Sequence, residues 1–213
     1  MDDPLTKSAL AIALSRMQVF AHPHERSEQY PTDSEIAAEV LWLAKMQGDI
    51  EDRNVIDLGC GTGILGLGAL LLGASRCTFV DRDPAALATL QENLDKARTL
   101  FDAEIEKKSA IQKSDYTNVT GKADVVVQNP PFGTRQKHID VEFLRKAMEL
   151  APIVYSFHKT ITRDYVIAVA EKEGFHASHM LDVAFPLKAT QAHHRRKIHR
   201  IAVSAIRFVK GQA

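Results

Sequence analysis

The segment from Asn54 to Asp81 constrains the fold of this 213-residue chain more than any other. A short apolar run, Asn54–Leu58, leads into Gly59-Cys60-Gly61-Thr62-Gly63, and a helical stretch and a second apolar run then lead to Asp81. Closely spaced glycines after a strand let the backbone approach a ligand with no Cβ in the way. A carboxylate at the end of the next strand can accept hydrogen bonds from both ribose hydroxyls. The segment therefore predicts a βαβ nucleoside-binding unit in an α/β fold.

Two nucleoside cofactors fit this unit. Gly61 to Gly66 matches the dinucleotide fingerprint, so a nicotinamide enzyme is one alternative. Asp57 discriminates, because a carboxylate suits the ammonium of S-adenosyl-L-methionine but would repel a pyrophosphate at a helix N-terminus. We therefore favour S-adenosyl-L-methionine, held by Asp57, Gly59, Gly61 and Gly63.

A second constraint is Asn129-Pro130-Pro131-Phe132, after the β-branched run 123–128. The run predicts a buried strand, and the prolines hold Asn129 stiffly at its carboxyl end, where open α/β sheets bind ligands. The Asn129 side chain and the Pro130 carbonyl can accept hydrogen bonds from an exocyclic amine, while Phe132 offers a face on which a base stacks. This pattern indicates methyl transfer to an amino nitrogen. The alternative is an ordinary strand-to-loop turn with a buried aromatic.

The remaining periodicity predicts alternating helices and strands in a single domain over 1–213, without linkers or repeats. Predicted helices are Leu5–Met17, Ser34–Met46 (capped by Thr32 or Asp33), Pro84–Leu100, Val141–Leu150 and Arg163–Glu173. Predicted further strands are 77–80, 109–113, 153–157, 179–185 and 198–209, the last antiparallel. Asp115, after the third strand, is either an acceptor for the adenine N6 of the cofactor or an exposed loop acid.

The net charge is zero, but the basic and acidic residues are distributed unevenly along the chain. From residue 186 to the end there are no acids, and the Lys and Arg residues there are 188, 195, 196, 197, 200, 207 and 210. Such a segment predicts contact with a polyanion, with a merely solubilising surface as the alternative. We expect residues 186–200 to form a basic, RNA-facing loop.

Composition excludes other classes. No apolar run is long enough to span a bilayer, and no signal-peptide pattern is present. Cys60 and Cys77 suggest no disulfide framework, which fits a reducing cytoplasm. No histidine or cysteine spacing is typical of a metal site, so no metal is predicted.

Taken together, the segments 57–63, Asp81 and Asn129-Pro130-Pro131-Phe132 resemble the signature of class I methyltransferases that act on amino groups. The closer resemblance is to the methyltransferase-like 5 group, which comprises N6-adenine methyltransferases of small-subunit ribosomal RNA and their archaeal relatives. It extends along nearly the whole chain through Glu28-Gln29-Tyr30-Pro31-Thr32, residues 129–134, Tyr155-Ser156-Phe157-His158-Lys159 and His194-Arg195-Arg196-Lys197.

This resemblance implies a Rossmann-like fold with a seven-stranded, mostly parallel sheet, an antiparallel last strand and helices on both faces. It also implies that S-adenosyl-L-methionine is bound with Gln29 and Thr32 at its methionine end, Gly59, Thr62 and Ile64 along it, and Asp81 at its ribose (Asp83 being the alternative). Asn129 would border the cofactor as well as the acceptor, and residues 1–33 would form a helix and a cofactor-capping segment. A small zinc-binding activator protein, known for the eukaryotic members, would be a further partner.

The expected RNA contacts are Arg135, Lys137, His158, Lys159, His194, Arg195, Arg196 and Lys197. The expected reaction is methylation of adenine N6 in RNA, with Asn129, Pro130, Pro131 and Phe132 as the catalytic residues. Guanine N2 of RNA, adenine of DNA and a protein glutamine present similar amino groups and remain alternative acceptors. A non-catalytic RNA-binding assembly factor that keeps the cofactor fold is the alternative from another class.

Overall fold

The computed structural model describes residues 5–19, 31–102, 104–132, 138–187 and 199–211. All described strands belong to one seven-stranded sheet in the order β3-β2-β1-β4-β5-β7-β6. The strands are β1 Asn54–Leu58, β2 Arg76–Asp81, β3 Ser109–Lys113, β4 Val125–Gln128, β5 Ile153–Lys159, β6 Phe175–Leu187 and β7 His199–Lys210. Strands β1 to β5 pair in parallel, and β7 is antiparallel to both β5 and β6. The predicted fold class is therefore confirmed.

Six helices cover the sheet in the described ranges. They are α1 Lys7–Ser15, α2 Ser34–Met46, α3 Ile64–Leu71, α4 Pro84–Leu100, α5 Ile139–Leu150 and α6 Arg163–Lys172. Successive strand residues point to opposite faces of the sheet and pack into two apolar layers. Val55 and Val127 pack with α1 to α4, whereas Ile56 and Val126 pack with α5 and α6. The central strands are thus buried on both faces, which explains their continuous β-branched runs. No helix in the described part of the chain is long and apolar enough to cross a membrane.

The strand order reverses between β1 and β4, which are neighbours in the sheet. In open α/β sheets a crevice forms at such a reversal, beyond the carboxyl ends of the strands. The loops after β1 and β4 carry the glycine segment and Asn129, so this topology brings the two motifs of the sequence to one place.

The antiparallel end of the sheet is fixed by a buried ion pair. Arg207 of β7 donates two hydrogen bonds to the carboxylate of Asp49, which also accepts one from the Tyr155 hydroxyl of β5 at 2.5 Å. Burial and the neighbouring Asp49 carboxylate raise the pKa of Tyr155, so its hydroxyl stays protonated and remains a donor. Tyr155, which belongs to a segment that carries the resemblance, therefore stabilises the sheet and lies in the core.

Candidate active site

A cavity of about 490 Å³ lies at the sheet reversal. This volume falls within the range of small-molecule sites. Its walls come from the loops after β1, β2, β3 and β4, together with Pro31 and Thr32 before α2 and Phe143 of α5. Predicted cofactor residues in its lining are Thr32, Asp57, Gly59, Gly61, Thr62, Ile64, Asp81, Asp115 and Asn129.

The glycine loop is folded tightly onto β2. The backbone N–H groups of Gly59 and Cys60 both donate to the Val80 carbonyl, at 2.8 and 2.9 Å. Gly63 ends the loop with φ +87°, and a Cβ there would lie 2.2 Å from Leu90 Cδ1. The left-handed backbone conformation therefore favours glycine at this position, and a larger residue would also force the Leu90 side chain of α4 to move.

Asp81 closes the loop from the end of β2. Its Oδ2 accepts from the Gly61 N–H at 2.8 Å, and its Oδ1 accepts from the Asp83 N–H at 2.9 Å. Each carboxylate oxygen retains a lone pair, so Asp81 can still accept from hydroxyls in the cavity. Asp83 caps α4 by accepting from the Ala85 N–H. Both carboxylates line the cavity, so the ribose contact stays a prediction for Asp81, with Asp83 as the alternative.

Asp57 lies behind the glycine loop and is 1% exposed. Its Oδ2 accepts a hydrogen bond from the Gly66 N–H in the first turn of α3 at 2.8 Å. Desolvation raises the pKa of Asp57 to about 7, despite the opposing Gly66 hydrogen bond, and the nearby Asp81 charge adds to the rise. A positive group in the cavity would relieve this cost and favour the ionised carboxylate.

The far end of the cavity is lined by Asp115, Tyr116 and Phe143. Asp115 accepts hydrogen bonds from the backbone and hydroxyl of Thr117 and from Arg82. Partial burial would raise the pKa of Asp115, but these hydrogen bonds outweigh it and hold the pKa below its usual value. The rings of Tyr116 and Phe143 are stacked with centroids 4.0 Å apart. A carboxylate beside aromatic rings suits a planar heterocycle with an amino group, so the position of Asp115 in the cavity lining is compatible with the predicted adenine contact.

Asn129 is oriented by a contact with Thr32. Its Nδ2 donates to the Thr32 Oγ1 at 3.0 Å, across 97 positions in the chain. Its Oδ1 is buried, and no group in the described ranges donates a hydrogen bond to it. An unpaired buried carbonyl oxygen costs about 1–3 kcal/mol. Asn129 itself lines the cavity, so a ligand that reaches this oxygen and donates a hydrogen bond to it would relieve that cost.

Phe132 departs from the prediction. Its ring is 6% exposed and packs edge-on against Phe185 of β6, with centroids 5.9 Å apart. It therefore presents no open face for a base in this structure, because it belongs to the apolar core that also contains Phe157 and Phe185. Pro131 lines the cavity. Pro130 is buried, and among the described residues no backbone N–H donates a hydrogen bond to its carbonyl oxygen.

His158 also departs from the prediction, since an RNA contact requires an exposed side chain and His158 is 0% exposed. It belongs to a buried hydrogen-bonded chain in which Gln128 Nε2 donates to Ser156 Oγ. Ser156 Oγ lies 2.8 Å from His158 Nε2, and His158 Nδ1 lies 3.1 Å from Asp140 Oδ2. Burial would raise the pKa of Asp140, but the His158 contact lowers it overall. The connectivity is that of a Ser-His-Asp triad, but a fully buried serine cannot reach a substrate. This hydrogen-bonded network connects β4 and β5 to the start of α5.

The other predicted RNA-contact residues divide into two groups. Lys159 is partly exposed at the end of β5. Seven predicted site residues lie outside the described residues: Gln29, Arg135, Lys137, His194, Arg195, Arg196 and Lys197.

Sequence reasoning missed three residues that shape the site. Tyr116 and Phe143 form its aromatic wall, and their separation in sequence gave no signal of their stacking. Asn93 of α4 is fully buried, and its Nδ2 donates to the Thr62 carbonyl at 2.9 Å while its Oδ1 accepts from the Gln18 N–H. A polar residue on the apolar face of a helix was the available signal, because a buried amide needs partners.

Comparison with known proteins gives a consistent result. The sequence matches the family model of the methyltransferase small domain over residues 32–152. It is 34% identical over 202 residues to the rRNA N(6)-adenosine-methyltransferase METTL5 of Danio rerio, which covers 93% of this chain and 96% of that protein. It is equally 34% identical over 210 residues to an uncharacterized protein of Methanocaldococcus jannaschii, covering 97% and 95% respectively.

The fold comparison agrees with the sequence comparison. The structure superposes on a crystal structure from Pyrococcus horikoshii with a TM-score of 0.87 and 39% identity, covering 97% of this chain and 98% of that chain. A crystal structure from Thermoplasma acidophilum gives a TM-score of 0.74 at 26% identity, with the same coverage.

Proposed function

We propose that this chain, which belongs to the methyltransferase small domain family and to the METTL5 group of rRNA N6-adenosine methyltransferases, methylates adenine N6 in RNA. S-adenosyl-L-methionine is the proposed methyl donor, and small-subunit ribosomal RNA is the proposed substrate. The observation that carries the proposal is that Asn129, a residue that lines the cavity, has a buried Oδ1 to which no group of the described residues donates a hydrogen bond. A carbonyl oxygen there selects an acceptor that donates a hydrogen bond, as an amine does.

The cavity fits the proposed cofactor. Asp81 offers oxygens to a ribose, the stacked Tyr116 and Phe143 border a planar ring, and Asp115 offers acceptors to its amino group. The charge of Asp57 favours an ammonium near the glycine loop, whose Gly59 and Gly61 line the cavity. When bound, the cofactor would supply an electrophilic methyl group on a positively charged sulfur.

Residues of this chain would prepare the acceptor nitrogen. Adenine N6 is a poor nucleophile because its lone pair is delocalised into the ring. Hydrogen bonds from its two N–H groups to Asn129 Oδ1 and to the Pro130 carbonyl would favour a pyramidal nitrogen, with the lone pair directed towards the cavity. The prolines fix both acceptors in place, so little ordering is required when the base binds. We retain Phe132 as a support for this turn, and its use as a stacking face would require the ring to become exposed.

The substrate must present an unstacked base. Extruding a base costs a few kcal/mol, and the cost is lowest where the nucleotide is unpaired. Accessible single-stranded segments of ribosomal RNA are therefore better substrates than duplexes. Guanine N2 of RNA, adenine of DNA and protein glutamine remain chemically compatible with the same pair of acceptors.

An isotope-labelled methyl assay tests the proposed function. Incubation with labelled S-adenosyl-L-methionine should label small-subunit RNA, and nucleoside analysis should place the label in N6-methyladenosine. Bulk DNA and protein in parallel reactions should remain unlabelled. Label in another nucleoside, in DNA or in protein would replace the proposed acceptor, and no label in any of them would favour the assembly factor.

We propose that Arg195, Arg196 and Lys197 contact phosphates, together with Lys159, His194, Arg135 and Lys137. Reversing residues 195–197 to Glu should weaken RNA binding by about tenfold or more at low salt and flatten its salt dependence, because fewer counterions are then released. Fluorescence anisotropy with a labelled RNA at several salt concentrations measures both effects. The matched control reverses Lys107, an exposed lysine on the segment before β3. Equal affinity of the triple variant and the control would make the basic segment only a surface feature.

A small zinc-binding activator protein remains a proposed partner, and the cytoplasm remains the predicted compartment. In support of a partner, β3 is an edge of the sheet that no other described strand pairs with, its Ile111 is exposed, and exposed Leu100 and Phe101 lie at the end of α4. Such edges are usually covered or charged. Co-elution of the chain with a zinc-containing protein, lost when Ile111 is replaced by Lys, would support this partner, and unchanged co-elution would place it elsewhere.

A further inference from the structure

The side-chain amide of Asn129 has two chemically different ends, and only one of them can serve the reaction. Oδ1 can accept from an amine, whereas Nδ2 would face the amine with its own N–H groups and leave two donors opposed. A residue that selects the orientation of this amide is therefore part of the catalytic arrangement. The chemical role in this inference rests on the proposed function, whereas the hydrogen bond on which it is based is a feature of the structure and is independent of that function.

Thr32 is the residue that contacts this amide. Its Oγ1 accepts from Asn129 Nδ2 at 3.0 Å, and Thr32 is 6% exposed and lines the same cavity. The sequence allowed Thr32 to cap helix α2, but Asp33 takes that place by accepting from the Glu35 N–H at 3.0 Å. The Thr32 hydroxyl is therefore not required by the helix and is directed to Asn129.

A hydroxyl has one hydrogen and two lone pairs, so it can either accept from Nδ2 or donate to Oδ1. The choice depends on where its hydrogen goes. Among the described residues, no acceptor takes the Thr32 hydrogen. An acceptor in a ligand that fills the cavity would take it and leave only lone pairs towards Asn129, and those require Nδ2.

We propose that Thr32 is a positioning residue that fixes the Asn129 amide with Oδ1 towards the acceptor base, and that occupation of the cofactor cavity reinforces this orientation. Binding of the methyl donor and readiness of the acceptor site are then coupled through one hydroxyl group. The coupling predicts that RNA binds productively after the cofactor.

Two variants of Thr32 separate positioning from packing. Thr32→Val has nearly the same shape but no hydroxyl, so the amide loses its orienting partner. We expect kcat for RNA methylation at saturating cofactor to fall about tenfold, the effect of one neutral hydrogen bond. Thr32→Ser restores the hydroxyl and should recover most of this loss. Calorimetry with S-adenosylhomocysteine gives the affinity for the cofactor cavity separately.

The second measurement does not depend on activity. In a ¹⁵N spectrum, the side-chain amide signal that disappears in Asn129→Ala identifies this group. The Nδ2 hydrogen that is donated to Thr32 should exchange with solvent at least about threefold more slowly in the wild type and in Thr32→Ser than in Thr32→Val. S-adenosylhomocysteine should slow this exchange further only in the two proteins that have a hydroxyl at position 32.

Three results would overturn the inference: equal kcat for the Val and Ser variants, a change confined to cofactor affinity, or equal amide exchange in all three proteins. If the wild type transfers no methyl group to RNA adenine, the proposed function fails instead. The exchange experiment would still establish whether Thr32 orients the amide.

Discussion

Replacing Asn129 with alanine is expected to lower kcat for RNA methylation by about 10²- to 10³-fold, the range found when one preorganised polar group at a reacting centre is removed. The alanine removes Oδ1, the unpaired acceptor of a residue that lines the cavity, so that of the two proposed acceptors for the amine only the Pro130 carbonyl remains. The loss should appear in kcat, because an interaction that strengthens as the nitrogen becomes pyramidal stabilises the transition state more than the bound substrate.

Single-turnover rates with saturating RNA and cofactor measure this effect without interference from product release. Asn118→Ala is the matched control, since Asn118 is an exposed asparagine in the short helix after β3. Thermal unfolding of both variants should lie close to the wild type, because Asn129 loses only one hydrogen bond, to Thr32. S-adenosylhomocysteine should bind all three proteins with affinities within a few fold. A rate equal to that of the control would show that Asn129 is not the acceptor.

Local sequence patterns predicted most of the fold. The strand, glycine loop and helix from Asn54 to Leu71 and the strand before Asn129 were recovered within a few residues, because each is specified by its own propensities and turn residues. Strand β6 was predicted in part, since it covers Phe175–Leu187 and the periodicity indicated only 179–185, whereas β7, His199–Lys210, lies within one residue of the prediction at each end. Antiparallel pairing extends a strand beyond the residues that are apolar.

The contacts that complete the site could not be predicted in the same way. The Thr32–Asn129 bond and the stacking of Tyr116 on Phe143 join distant segments, and a single sequence carries no signal of such pairs. His158 shows the opposite error. A histidine beside a lysine at a strand end suggests an RNA contact, but β5 is buried on both faces from Val154 to His158, and only Lys159 at its end is partly exposed. For Phe132, propensity does not say whether an aromatic ring after a turn faces the cavity or the core, and its role as a stacking face stays a prediction.

Asp57 provides the second large effect, in which stability and affinity change in opposite directions. Its native pKa of about 7 lies above the ordinary value of 3.8 that applies in the unfolded chain. The unfolded chain therefore ionises Asp57 first as the pH rises, so the native state loses stability between about pH 4 and pH 7 and does not regain it above. The full loss is about 4 kcal/mol by order of magnitude. Asp57→Asn removes this titration and can still accept from the Gly66 N–H.

We expect Asp57→Asn to raise the free energy of unfolding of the ligand-free protein, with a gain that grows from pH 5 to pH 8. The same variant should bind S-adenosylhomocysteine about 10- to 100-fold more weakly at pH 8, because a neutral amide does not attract the ligand's ammonium. Wild-type affinity should decline as the pH falls through about 7, where Asp57 takes up a proton, and the variant's affinity should be nearly independent of pH there.

Urea unfolding and calorimetry from pH 5 to pH 8.5 measure both properties on the same samples. Asp95→Asn, an exposed substitution on α4, controls for the general loss of one negative charge. A variant that is stabilised but binds as tightly as the wild type would show that the buried charge serves neither the fold nor the ligand. One that is destabilised at every pH would mean that Asp57 is ionised in the native protein and held by a partner. The combination of higher stability and weaker binding is the result that identifies Asp57 as a charge kept in the core for the cofactor.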